Sequence, residues 1–166
     1  MPKAAFQSLS RRRRAAALLL LLLVLATIAF IWNNSLQSPD ESLRRSDMAE
    51  ALTRPVILAI PVEAWHTPAM ITYITRKLGH FIEFFALGAE LLCLWLLVRP
   101  AMPLPARYLL LISVCVAGAD EALQSTNGRG PSFWDVGLDA FGAAAGLLFM
   151  LAAQAVYQKI GRKARA

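Results

Sequence analysis

Four apolar stretches, residues 15–32, 78–98, 106–124 and 133–157, constrain this chain more than any other feature of its sequence. Each has 18 to 25 residues, and a helix rising about 1.5 Å per residue needs roughly 17 to 25 to cross a hydrocarbon core of about 30 Å. Lipid offers no partner for backbone amides, so segments of this length satisfy their hydrogen bonds as helices. The pattern predicts an all-α, polytopic membrane protein with four transmembrane helices. Composition agrees: 57% of the 166 residues are hydrophobic and 17% charged, in a chain of one-domain length.

A net charge of +6 raises the question of a nucleic-acid partner, and its distribution answers it. With the N-terminus in the cytoplasm, the segments on that side hold Lys3, Arg11, Arg12, Arg13, Arg14, Arg99, Arg107, Lys159, Arg162, Lys163 and Arg165, eleven of the 17 basic residues and no acid. That asymmetry is the positive-inside pattern, and it predicts both termini cytoplasmic. The basic N-terminus (1–14) and tail (158–166) suit anionic lipid headgroups, so no nucleic acid is needed. Residues 15–157 then form the membrane domain. The first span lacks a clean small-residue cleavage site and reads as an uncleaved signal anchor. Cys93 and Cys115 fall inside spans, where packing is their default role.

The link between the second and third spans, 99–106, carries Pro100, Pro103 and Pro105 and is predicted to be a tight, non-helical turn joining an antiparallel pair. The only long link, 33–77, contains an apolar patch, Val56 to Ile60, bracketed by Pro55 and Pro61. Too short to span, it is expected to lie in the headgroup region or against the bundle, with Trp65 as an interfacial anchor and Asp47-x-x-Glu50 capping a short helix before it.

Acids inside membrane spans cost about 2.5 to 3.5 kcal/mol each on insertion scales, so their placement is informative. His80, Glu83 and Glu90 share one face of the second span. Asp120 and Gln124 are a turn apart near the end of the third, beside Glu121. Asp135, Asp139, Gly142 and Gly146 make one stripe on the fourth. All but Glu90 fall towards the outer ends, with Arg129 in the turn between the last two spans and Arg76 and Lys77 nearby. The arrangement predicts an outward-facing polar pocket lined by three helices.

Each element also has a structural explanation. Ser132-Phe-Trp-Asp135 fits a capping box, Gly142-x-x-x-Gly146 a close-packing face, and Asn127-Gly128 a turn. Arg129 can neutralise Asp120 or Asp135. Five carboxylates and a histidine at one depth exceed what structural glue requires. Hard oxygens and one imidazole are also a plausible donor set for a divalent metal, although no cofactor motif is present. No nucleophile elbow, Walker loop or His-Glu-x-x-His occurs, so binding is favoured over catalysis.

Together these residues resemble the VanZ-like family of membrane proteins, named for a member associated with low-level teicoplanin resistance. The resemblance rests on Lys77-Leu-Gly-His80-Phe81-Ile-Glu83, on Asp120-Glu121-Ala-Leu-Gln124, and on Arg129, Asp135, Asp139 and Gly142 in order. Phe84 stands where the family commonly has an aromatic hydroxyl. The resemblance implies a bundle of this size in the bacterial cytoplasmic (inner) membrane and a link to antibiotic resistance and the cell envelope.

The expected ligand-binding set is therefore His80, Glu83, Asp120, Glu121, Gln124, Arg129, Asp135 and Asp139, with Gly142 and Gly146 packing helices. The expected partners are membrane lipids, a lipid-linked envelope precursor or a lipoglycopeptide. One alternative is a metal-dependent intramembrane enzyme acting on a phospholipid or lipid-linked precursor, with His80 or Glu83 as base. Another is a structural subunit of a membrane complex.

Overall fold

The computed structural model describes residues 9–37, 39–126 and 132–163, and among these the only regular elements are helices. They are α1 (Arg11–Ser35), α2 (Pro39–Leu58), a short 3-10 turn (Glu63–Trp65), α3 (Pro68–Val98), α4 (Arg107–Thr126) and α5 (Phe133–Lys163). Four of them, α1, α3, α4 and α5, are long and apolar enough to cross a membrane. Their outer faces carry exposed Leu18, Leu22, Ile82, Leu111, Leu148 and Phe149, as lipid-facing surfaces do.

The helices overrun the apolar stretches, because caps rather than hydropathy set their ends. Ser10 accepts a hydrogen bond from the Arg13 amide, so α1 begins within the arginine run. The Thr67 hydroxyl accepts from the Met70 amide and Pro68 takes the first helical position, so α3 starts ten residues before the apolar stretch at 78. Arg76 and Lys77 interrupt the hydropathy there but not the helix.

The long link corrects the reading of 33–77 as mainly loop. α2 runs straight through Asp47 and Glu50, which are interior positions and not caps, and continues past Pro55 for one turn. Val56 and Leu58 are its last, exposed turn, and Ile57 is buried. Proline removes one amide from the ladder, which a helix can absorb close to its end. The helix lies against the start of α3: the Thr53 and Thr75 hydroxyls are 2.6 Å apart, and Thr72 Oγ1 donates to Glu50 Oε2 at 2.9 Å.

The turn at 99–106 is non-helical as its prolines require, and Trp95 Nε1 closes it by donating to the Leu104 carbonyl at 2.8 Å. The most intimate packing, however, is not between α3 and α4. It is between α3 and α5, where three glycines let the backbones touch. A Cβ at Gly146 would lie 2.0 Å from the Phe85 carbonyl oxygen, one at Gly88 2.1 Å from that of Ala143, and one at Gly142 2.7 Å from that of Phe81. Phe81–Phe141 and Phe85–Phe149 ring pairs flank this seam. Val24 and Ile31 of α1, Phe84, Leu87, Leu91 and Leu92 of α3, Leu109 and Val116 of α4, and Ala143 of α5 form the apolar core.

Candidate functional site

At one end of the bundle the last turn of α1, the first half of α3, the end of α4 and the start of α5 converge. Three side chains meet there at the centre. His80 Nδ1 lies 3.8 Å from Asp120 Oδ2 and 3.6 Å from Asp139 Oδ1. Asp120 and Asp139 are both fully buried. Their spacing along each helix puts them on inward faces: Asp139 lies one turn before Ala143, which packs on α3, and Asp120 one turn after Val116 in the core.

The two aspartates differ in their surroundings. Asp120 is well supplied, since Ser35 Oγ donates to its Oδ1 at 2.5 Å and Gln124 Nε2 to its Oδ2 at 2.9 Å. Asp139 is not: among the described residues neither of its buried carboxylate oxygens has a hydrogen-bond partner, and nor does His80 Nδ1. An unsatisfied buried carboxylate is costly. A turn further along α3, Glu83 Oε1 accepts from Asn34 Nδ2 at 2.8 Å. Deeper still, Thr27 Oγ1 donates to Glu90 Oε1 at 3.0 Å.

Two of the other acids serve local structure. Asp135 and Ser132 form half of the anticipated capping box, with the Asp135 amide 3.4 Å from Ser132 Oγ. The reciprocal half comes from another helix, because the Ser132 amide donates to Glu121 Oε2 at 2.8 Å. Asp135 is thereby released to form an ion pair with Lys77. Glu121, next to Asp120 in sequence, points about 100° away from it around the helix and so faces the cap instead of the cluster. Arg129 and its glycine turn lie outside the described residues.

Helix α1 is the wall that the sequence reading omitted. Asn33-Asn34-Ser35 follows an apolar run and resembles the start of a loop, yet Asn34 and Ser35 complete the last turn of α1 and reach Glu83 and Asp120. Four helices, not three, surround the cluster. Phe84 is fully buried, a position in which a hydroxyl would need its own partner.

Beside the cluster, a cavity of about 260 Å³ is lined by Ala69, Thr72, Tyr73, Arg76, Lys77, His80, Gln124 and Asp135. Three of these residues are basic or imidazole and one is acidic. Lys77 is paired with Asp135, whereas Arg76 has no ion pair among the described residues. His80 belongs both to this lining and to the buried cluster.

Four apolar helices around a polar cluster at one end define a multi-pass helical membrane protein. The chain belongs to the VanZ/LLP1 family, whose model matches residues 18–154. No curated protein and no solved structure matches it.

Proposed function

We propose that the protein binds the phosphate-bearing headgroup of a lipid or lipid-linked envelope component in the cavity beside His80, and through that binding contributes to lipoglycopeptide resistance or envelope maintenance. The observation that carries this reading is Arg76, half-buried in the cavity wall with no carboxylate partner among the described residues. A guanidinium presents a planar fork of donors suited to phosphate oxygens, and it holds them more strongly where water is scarce. Lys77 adds charge beside it, Thr72, Tyr73 and Gln124 add neutral polar groups, and the apolar outer faces of the helices give acyl chains a place to lie. In this reading the protein lies in the bacterial cytoplasmic membrane with both termini inside, an orientation supported by the eleven basic residues on that side. The cavity then opens outward, where envelope precursors are used.

The test is purification in mild detergent followed by mass spectrometry of retained lipids. The wild-type chain should keep a phosphate-bearing lipid that Arg76→Ala loses, with equal amounts of both proteins in the membrane. In a resistant host the same variant should lower resistance to teicoplanin-type drugs. Retention that is identical in the two proteins would remove the cavity from the function.

A further inference from the structure

We infer that His80, Asp120 and Asp139 form a binding site for a divalent transition-metal ion, zinc foremost. One ligand atom from each residue can be chosen so that all three lie within 4.8 Å of one another. The His80–Asp120 and His80–Asp139 separations of 3.8 and 3.6 Å are too long for hydrogen bonds. They are close to the edges of a coordination shell: with bonds of about 2.1 Å, such edges subtend roughly 118 to 130° at an ion, somewhat wider than tetrahedral, so the side chains would draw in slightly around it.

The orphaned atoms point the same way. His80 Nδ1 and both Asp139 oxygens are buried with no hydrogen-bond partner among the described residues, as ligand atoms are when their partner is an ion. Among the described residues, His80 is the only group able to carry positive charge that lies within 4 Å of either aspartate. Two carboxylates buried in an apolar bundle need more compensation than one imidazole supplies.

The surrounding hydrogen bonds also suit a metal site. Ser35 and Gln124 fix the Asp120 carboxylate from both sides, the role of outer partners that orient ligands. One imidazole with two carboxylates favours zinc or manganese over magnesium or calcium, which prefer oxygen alone. Three protein ligands are one short of a tetrahedral shell, leaving a position for water or another ligand, as in catalytic zinc sites. The set is narrower than the sequence suggested, because Glu121 and Asp135 are committed to a cap and an ion pair.

This site does not depend on the headgroup reading, and its test uses no lipid. The full-length chain, purified in mild detergent, is stripped with a chelator, reloaded with zinc chloride, desalted and analysed for bound metal. Wild type should hold one zinc per chain. Asp139→Asn and His80→Gln should each weaken binding by at least about tenfold, while Glu90→Gln, a half-buried acid on the helix of His80 but outside the cluster, should still hold one. Zinc should raise the thermal midpoint of wild type and not that of Asp139→Asn. Without metal, Asp139→Asn should be at least as stable as wild type, since it removes a buried carboxylate that accepts no hydrogen bond among the described residues, and a thermal midpoint at or above that of wild type would show that the variant is folded. The inference is overturned if reloaded wild type holds no zinc or manganese, if magnesium alone is taken up, or if Asp139→Asn binds zinc as wild type does.

Discussion

Helix α3 has two seams that are held in different ways. Against α5 it meets backbone with backbone, through Gly88, Gly142 and Gly146, and the ion pairs that cross this seam among the described residues, Lys77–Asp135 and His80–Asp139, lie at the polar end beyond the glycines. Against α1 it is pinned by spaced polar contacts, Thr27 to Glu90 and Asn34 to Glu83. Lipid tails are as apolar as leucine, so neither seam gains from expelling water. The glycine seam relies on close van der Waals contact and fails when anything intrudes. The pinned seam relies on a few pairs, each of modest worth, and loses stability in steps.

The largest effect should come from intruding on the glycine seam. Gly146→Leu places side-chain atoms where a carbonyl oxygen already sits, and overpacking of this kind costs about 3 kcal/mol or more. Sharply reduced folded protein in detergent, measured by size exclusion and by unfolding in a denaturing detergent, is the expected result. Gly79→Ala on α3 faces open space and should be neutral or slightly stabilising. A large loss there would mean that α3 tolerates no added side chain even where nothing faces it, so that contact at the seam is not what makes Gly146→Leu costly.

Smaller effects should follow on the other side. Asn34→Ala leaves Glu83 without its donor, and a double-mutant cycle with Glu83→Gln should give a coupling of up to about 1.7 kcal/mol, the upper range for polar pairs between membrane helices. A coupling near zero would show that Asn34 has equivalent partners elsewhere. The smallest change is expected for Thr27→Val, which removes the Glu90 pin while keeping shape, at about 0.6 kcal/mol in the same unfolding measurement. If Thr27→Val costs more than Asn34→Ala, depth in the bundle matters more than proximity to the polar cluster.

The contrast also explains what the sequence made legible. Hydrophobic length sufficed for four spans, because lipid allows few alternatives. It misplaced the start of α3, because Thr67-Pro68 is a cap whose signal is chemical, and it dissolved α2 into a link because a proline near a helix end resembles a stop. Within the site, helical spacing brought His80, Asp120 and Asp139 into view, since each lies on a stripe that must face inward. Spacing could not separate Asp120 from Glu121, because neighbours on a helix differ by direction and only a partner, here the Ser132 amide, reveals which way each one points. Asn34 and Ser35 escaped notice for the opposite reason: short polar residues after a long apolar run look like an exit from the membrane, and it takes tertiary contact to make them part of the wall.

The Thr72 hydroxyl lines the cavity and also donates its one proton towards Glu50 of α2 and the Pro68 carbonyl. Any guest in the cavity that recruits this proton takes it from Glu50 and loosens one of the ties between α2 and the bundle. The surface helix thus meets the cavity wall at a hydrogen atom for which a guest would compete, while the Thr53–Thr75 contact holds it independently of the cavity.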